Sequence, residues 1–142
     1  MSRSETTTAP PAGFEIQCGR GAFTAHNGPY FYRRAAEGVE QAFYALDRHC
    51  NGLGIIHGGM LTAFLDGLLA SAVGREVGVR SVTVHLSVDF LAMGRAGEWV
   101  LGQARMTRAT SDIAFAEGHV QVGDLVLARA TGVFKLMKRR SA

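Results

Sequence analysis

The chain has 142 residues, of which 47% are hydrophobic, and its 15 lysines and arginines against 12 aspartates and glutamates give a formal net charge of +3. This length fits one domain, and so apolar a composition excludes a wholly disordered chain. The small positive charge is compatible with an anionic ligand, but no basic stripe interleaved with aromatic residues indicates a nucleic-acid partner. The basic residues cluster only at the end and are interpreted as a solvated tail; they are Lys135, Lys138, Arg139 and Arg140.

Residues 1–12 are predicted to be a flexible tail. They are rich in Ser, Thr and Pro and lack the apolar segment of a signal peptide. Residues 13–142 are then expected to form a single domain. The two cysteines, Cys18 and Cys50, are too few for a disulfide framework.

The sequence pattern of the first part of this domain predicts a β-hairpin. Residues 14–27 are irregular apart from a short helical turn. Residues 30–36 and 39–46 are typical of two strands joined by a tight turn. The glycines of residues 47–56 predict a loop after the hairpin.

His57-Gly58-Gly59 opens the one convincing helix. Its apolar residues fall in adjacent pairs every four positions, and most of the others are small, which predicts a buried helix; the paired residues are Met60, Leu61, Phe64, Leu65, Leu68, Leu69, Ala72 and Val73. The apolar stretch at 60–74 is too short to span a bilayer and contains Asp66. A soluble, cytoplasmic protein without a membrane partner is therefore expected.

Four strands are predicted after Gly78. Residues 81–90 alternate strictly between apolar and polar, as in a half-buried strand, and residues 98–107, 113–122 and 125–136 follow. The last three each carry a run of small side chains on one face, namely Gly102 and Ala104, then Ala114, Ala116 and Gly118, then Ala128, Ala130 and Gly132. Such faces could be a chance run of alanines, but strands disfavour Ala and Gly, so we expect a sheet that curves closely around the helix. The predicted fold class is α+β, with a long antiparallel sheet wrapped around one central buried helix.

Asp66 is the first candidate for chemistry. Burying an unpaired carboxylate costs several kcal/mol, so a charge in the most apolar helix needs a partner or a use. The functional interpretation is a general base or a nucleophile in a cleft. The structural alternative is an aspartate on an exposed stripe, or one that caps a neighbouring loop.

The start of the helix is the second candidate. Gly58 and Gly59 expose N–H groups without intrahelical partners, and the helix dipole adds partial positive charge, so an oxyanion could bind there. An N-cap followed by a tight turn explains the same residues. Asp66 lies about two turns further along the same helix.

Asn51 is the third candidate, because its amide could donate to a carbonyl oxygen, although Asn in a glycine-rich loop usually serves the turn. His49, Cys50 and His57 match no standard zinc spacing, so no metal is predicted and the histidines are expected to make structural hydrogen bonds. Phe31, Tyr32, Met60 and Phe64 could line an acyl pocket or belong to the core.

The segment His49-Cys50-Asn51-Gly52-x-Gly54-x-x-His57-Gly58-Gly59, followed by Leu61, Leu65 and Asp66, resembles the signature of hotdog-fold acyl-CoA thioesterases. The branch that it resembles most is the phenylacetate-pathway (PaaI-like) branch, related to 4-hydroxybenzoyl-CoA thioesterases. The resemblance extends over residues 28–136 and implies the hotdog fold.

The resemblance implies four catalytic residues. Asp66 would activate water or attack the thioester carbonyl, Gly58 would supply an N–H to the oxyanion, and Asn51 would place its amide near the thioester. Thr83 matches a Ser or Thr that orients the water, although the alternation puts it on a polar face that need not meet Asp66.

The resemblance further implies an acyl-CoA substrate contacted by His57, Gly59 and Arg108, with Arg108 directed at coenzyme A phosphates. It implies no cofactor, and a homodimer with both active sites at its interface, paired into a homotetramer. Two other functions stay open. A non-catalytic acyl-CoA-binding or regulatory domain would not need Asp66, and a hotdog dehydratase would carry a His-plus-carboxylate motif that this sequence lacks.

Overall fold

The computed structural model describes residues 8–138, and it arranges seven antiparallel strands and one long helix in a single sheet-and-helix unit. The sheet has the order β1-β2-β3-β5-β6-β7-β4. The elements are β1 (Glu15–Ile16), α1 (Ala22–Asn27), β2 (Tyr30–Arg33), β3 (Val39–Tyr44), a 3-10 turn (Asp47–His49), α2 (Gly58–Val77), β4 (Ser81–Phe90), β5 (Trp99–Ala109), β6 (Ile113–Val122) and β7 (Leu125–Leu136). The predicted α+β class is confirmed. Arg139, Arg140 and residues 1–7 lie outside the described residues.

Helix α2 is the centre of the core. All eight of its paired apolar residues are buried, with exposed fractions between 0% and 7%. The helix continues beyond the predicted stretch to Val77. It ends where Gly78 adopts the left-handed conformation at φ 68°, a backbone geometry that favours glycine.

The small-residue faces of β5, β6 and β7 lie directly against α2. A Cβ placed on Gly102 would be 2.7 Å from Leu68 and 2.8 Å from Phe64, and one on Gly118 would be 2.9 Å from Leu69. These contacts are too short for a real Cβ, so the glycines permit the close approach of sheet and helix. The interpretation of these faces as a wrap around the helix is confirmed.

The strand ends differ from the predictions at the first hairpin. Strand β2 ends at Arg33 because the chain bends over residues 34–38, and β3 ends at Tyr44, just before the 3-10 turn Asp47–His49. The Arg75 guanidinium, on the last turn of α2, donates to the carbonyl oxygens of Ala35 and Gly38 and ties the bend at residues 34–38 to the helix. The short helix α1 corresponds to the helical turn predicted within residues 14–27, whereas the two-residue strand β1 was not predicted.

Strand β4 forms one edge of the sheet and pairs only with β7 among the described strands. Its expected half-burial is not seen in the single chain, since Val82, Val84 and Phe90 are 51%, 59% and 55% exposed. No helix within residues 8–138 combines the length and apolarity needed to cross a membrane.

Candidate active site

The first turn of α2 presents one free amide. His57 is the N-cap, and its Nδ1 accepts a 2.7 Å hydrogen bond from the Gly59 N–H. The Met60 and Leu61 N–H groups donate to the His57 carbonyl oxygen. Within residues 8–138 the Gly58 N–H has no acceptor, so it is the amide that remains available at the positive end of the helix dipole.

Both glycines of this turn are needed for space. A Cβ on Gly59 would lie 2.9 Å from the capping His57 ring nitrogen. A Cβ on Gly58 would lie 3.3 Å from the Phe90 ring of β4. Phe90 was not predicted as a site residue, and only its place on the inward face of β4 could have indicated it.

Asn51 serves the turn and keeps a donor at the same time. Its Oδ1 accepts from the Leu53 N–H at 2.9 Å and from the Ile55 N–H at 3.2 Å. Two backbone donors on one atom identify that atom as the oxygen, so the Nδ2 amino group points away from the turn. This exposed amino group has no acceptor in the described part of the chain.

His49 braces the loop that carries Asn51. It is only 3% exposed, and its Nδ1 accepts from the Leu46 N–H at 3.0 Å. Its Nε2 lies 2.7 Å from the Asn27 carbonyl oxygen, which makes Nε2 the protonated nitrogen of a neutral ring. The prediction that His49 and His57 make structural hydrogen bonds is thus confirmed, while His57 also borders the free Gly58 amide.

Asp66 is half-buried rather than enclosed. It lies on a stripe of α2 that the sheet leaves partly open, together with Thr62, Ala63, Gly67 and Ala70. The Thr83 hydroxyl donates a 2.6 Å hydrogen bond to Asp66 Oδ1. Asp66 Oδ2 accepts no hydrogen bond from residues 8–138. The carboxylate is therefore less buried than expected. The partner that a charge in this helix was expected to need is Thr83.

Thr83 reaches Asp66 because β4 is irregular. Thr83 pairs with Phe134 and His85 with the next residue, Val133, so Val84 is an extra residue in β4. This one-residue β-bulge overturns the expected strict alternation along residues 81–90. Bulges of this kind commonly re-aim a side chain beside a functional site.

The structure does not bring all the predicted site residues together. Gly58 and Asp66 are eight residues apart on α2, a separation of about 12 Å along the axis at 1.5 Å per residue. Arg108 pairs with Phe115 on the sheet face away from α2, so it does not meet Asp66. A groove of about 730 Å³ also lies across the outer sheet face, where Glu117, His119 and Arg129 line it, and contains none of the candidates.

Other polar groups near the core have structural surroundings. Burial raises the pKa of the Cys50 thiol, which disfavours the nucleophilic thiolate. Burial also raises the pKa of Tyr30 to about 12, and its hydroxyl has no partner in the described chain. Met60 and Phe64 belong to the core, as the structural alternative predicted, whereas Phe31 is only half-buried and Tyr32 is 39% exposed. No three His, Cys, Asp or Glu side chains among residues 8–138 are grouped to hold a metal ion.

Comparison with known proteins places these residues in a family context. The family model described as Thioesterase superfamily matches residues 53–129. The Pseudomonas aeruginosa protein named "Putative esterase PA0474" is 38% identical over 114 residues, which cover 77% of this chain and 84% of that protein.

Two solved structures are similar in fold. A phenylacetic acid degradation-related protein from Ralstonia eutropha JMP134 has a TM-score of 0.73 and 27% identity, over 82% of this chain and 92% of that one. A thioesterase-type protein from Streptococcus pneumoniae TIGR4, solved with coenzyme A, has a TM-score of 0.69 and 20% identity, over 79% of this chain and 88% of that one. At that identity the second likeness shows the fold alone.

Proposed function

Since the chain belongs to the Thioesterase superfamily, we propose that it is an acyl-CoA thioesterase, which hydrolyses an acyl- or aryl-CoA thioester to the free acid and coenzyme A. The observation that carries this proposal is the Thr83–Asp66 hydrogen bond. It holds a carboxylate in a set orientation on a helix that starts with a free amide. The membership of the family supports a thioester hydrolase, and the coenzyme A part of the substrate is our inference.

Asp66 supplies the attack on the thioester. Thr83 occupies Oδ1, which leaves Oδ2 to take a proton from water or to add to the carbonyl carbon itself. In the first route, the hydroxide adds to the carbonyl carbon and forms a tetrahedral oxyanion. That intermediate collapses with cleavage of the C–S bond, and the proton on Asp66 passes to the departing coenzyme A thiolate.

The oxyanion is stabilised by donors at the start of α2. The Gly58 N–H is free and the helix dipole adds positive charge, and the Asn51 amino group is a second donor. Removal of one such donor in other enzymes costs about 2.7–4 kcal/mol of transition-state stabilisation. His57 holds Gly59, so His57 and Gly59 serve the substrate by shaping this turn.

Gly58 and Asp66 of one helix are far apart for groups that act on a single carbonyl. A carboxylate that attacks the carbonyl directly must lie within about 6 Å of the oxyanion donor, and one that acts through a water within about 9 Å, since each contact spans about 3 Å. The backbones of Gly58 and Asp66 are separated by about 12 Å along the helix axis. We therefore propose a homodimer in which Asp66 of one protomer faces Gly58 and Asn51 of the other, formed along the open edge of β4, and a homotetramer of two such dimers.

The recognition of coenzyme A is proposed for the exposed basic residues. Arg108 is exposed and has no ion-pair partner within the described chain. Because Arg108 lies on the outer face of the sheet, away from Asp66, we propose that it contacts the phosphate end of the ligand and not the thioester. The Streptococcus pneumoniae protein of the same fold was solved with coenzyme A, which supports coenzyme A as the kind of ligand proposed.

Thiol release from a panel of acyl-CoAs tests the proposed function. We expect the purified protein to release free coenzyme A from at least one short, medium or aromatic acyl-CoA faster than buffer alone, measured with a coloured thiol reagent. If the whole panel stays at the buffer rate while acyl-CoA still binds, the protein is a non-catalytic acyl-CoA-binding domain instead.

A further inference from the structure

The residues of β4 that face inward are odd-numbered before Val84 and even-numbered after it. Before this residue, Ser81 and Thr83 pair with Leu136 and Phe134, whose side chains are buried in the core. After it, the inward positions are even-numbered: Leu86 pairs with Gly132, Val88 with Ala130 and Phe90 with Ala128. Cross-strand partners share one face of a sheet, so Val84 is where the odd-numbered inward set gives way to the even-numbered set.

The bulge goes against the apolar pattern of the strand. In a regular strand, Val82 and Val84 would share the inward face with Leu86 and Val88, and the Thr83 hydroxyl would face solvent. In the structure, Val82 and Val84 are 51% and 59% exposed and Thr83 faces α2 instead. A local arrangement that exposes two valines to bring one hydroxyl inward is the kind of violation that functional sites show.

The hydroxyl that turns inward meets Asp66, the carboxylate in the middle of α2. A carboxylate plane rotates easily about its terminal torsion, so a single short hydrogen bond decides its orientation. The 2.6 Å bond from Thr83 engages Oδ1, and within residues 8–138 Oδ2 is left without a donor. A valine in the place of Thr83 would leave both oxygens unoriented.

We propose that the one-residue offset taken up by Val84 is a positioning feature of the active site: it lets Thr83 face inward although Leu86, Val88 and Phe90 also do, which turns the Thr83 hydroxyl onto Asp66 and so selects Oδ2 as the reacting oxygen. The Val84 side chain itself is not required, because only the face on which Thr83 lies matters. This inference rests on the proposed thioesterase function for its catalytic part, whereas its register part concerns the strand alone.

A composition-matched exchange tests the register. Thr83→Val should lower kcat by roughly ten- to a hundredfold with a smaller change in KM, as expected for a misplaced catalytic group. The double variant Thr83→Val/Val84→Thr has the wild-type composition but carries its hydroxyl on the outward residue. It should be as slow as Thr83→Val, whereas Thr83→Ser should keep kcat within about threefold because the hydroxyl is retained.

Deletion of Val84 gives the complementary test. It removes the extra residue and leaves Thr83 opposite Phe134 in a regular strand, so kcat should stay far closer to wild type than that of Thr83→Val. The proposal is overturned if the exchange variant hydrolyses as fast as wild type, or if a folded deletion variant is as slow as Thr83→Val. Should the deletion variant not fold, the exchange variant alone decides.

Crystal structures of the wild type and the exchange variant separate this inference from the proposed function. We expect residue 83 to oppose Phe134 in both, with the new threonine hydroxyl at position 84 in solvent. If β4 of the exchange variant has slipped so that residue 84 contacts Asp66, the proposed register of β4 is refuted. Absence of hydrolysis by the wild type across the acyl-CoA panel would refute the thioesterase function. The register of β4 would then be tested by these crystal structures alone.

Discussion

Asp66 is the only formally charged side chain between His57 and Gly74, and α2 accommodates it in two ways. It lies on the half-open stripe of the helix rather than under the sheet, and it accepts the Thr83 hydroxyl at 2.6 Å. The sequence predicts the residue but not the partner. Periodicity along one helix cannot show which strand residue faces it, and in β4 the alternation indicates the wrong face for Thr83.

Replacement of Asp66 by asparagine separates catalysis from folding. Asp66→Asn keeps the volume and the Oδ1 acceptor for Thr83 but removes the base, so kcat should fall roughly a hundredfold or more. Stability should be equal or slightly raised, because the charge no longer has to be partly desolvated. Thiol-release kinetics and urea melts on the same protein measure both, and Asp124→Asn in the exposed β6–β7 turn is the matched control.

Two results would contradict this assignment of Asp66. Normal hydrolysis by Asp66→Asn would remove the carboxylate from the mechanism. An inactive variant that is also several kcal/mol less stable, as for a broken buried charge pair, would make Asp66 a structural partner. In that second case the loss of activity would carry no information about the chemistry.

Among the elements, α2 was predictable in detail, whereas strand β1 and the orientation of the residues within β4 were not. The 3.6-residue period of α2 identifies all eight buried residues, because the sheet surrounds most of the helix. Strands β6 and β7 have the predicted bounds, since each is delimited by polar turns. Strand β1 has two residues and α1 has six, lengths at which no period can be recognised. A bulge such as that at Val84 leaves the apolar–polar alternation of the sequence intact. It nevertheless reverses the sheet face on which the residues before it lie.

The close contact between sheet and helix predicts opposite effects for two Gly→Ala substitutions. At Gly102 a Cβ would lie 2.7 Å from Leu68 and 2.8 Å from Phe64, so Gly102→Ala should destabilise the fold by about 1–3 kcal/mol through overpacking. At Gly67, on the open stripe of α2, a Cβ would meet nothing within 4 Å. Gly67→Ala should therefore stabilise the fold by about 0.5–1 kcal/mol through helix propensity.

Urea melts of the two alanine variants beside the wild type provide the measurement. Each changes one glycine to the same residue, and a close contact with Leu68 and Phe64 exists only at Gly102. An unchanged midpoint for Gly102→Ala would mean that the sheet does not approach the helix as closely as the small-residue face implies.

For the whole molecule, the exposed edge of β4 is the feature that a single chain leaves unexplained. An edge strand with open N–H and C=O groups and exposed Val82, Val84 and Phe90 invites pairing with another chain. The separation of about 12 Å along the helix axis between Gly58 and Asp66 independently favours the proposed second chain, because both groups have to act on one carbonyl. Sequence periodicity along one chain cannot identify the partner of this edge.

A shared site predicts that two inactive variants restore each other. Asp66→Asn lacks the carboxylate and Asn51→Ala lacks the amide donor, so each should be inactive or slow alone. When equal amounts are mixed, unfolded and refolded together, half of the dimers are heterodimers with one intact site, and activity should return to about a quarter of wild type. Light scattering at micromolar concentration should give the mass of a dimer or larger. A monomeric mass would rule out the shared site, and a dimer without restored activity would place both groups in the same protomer.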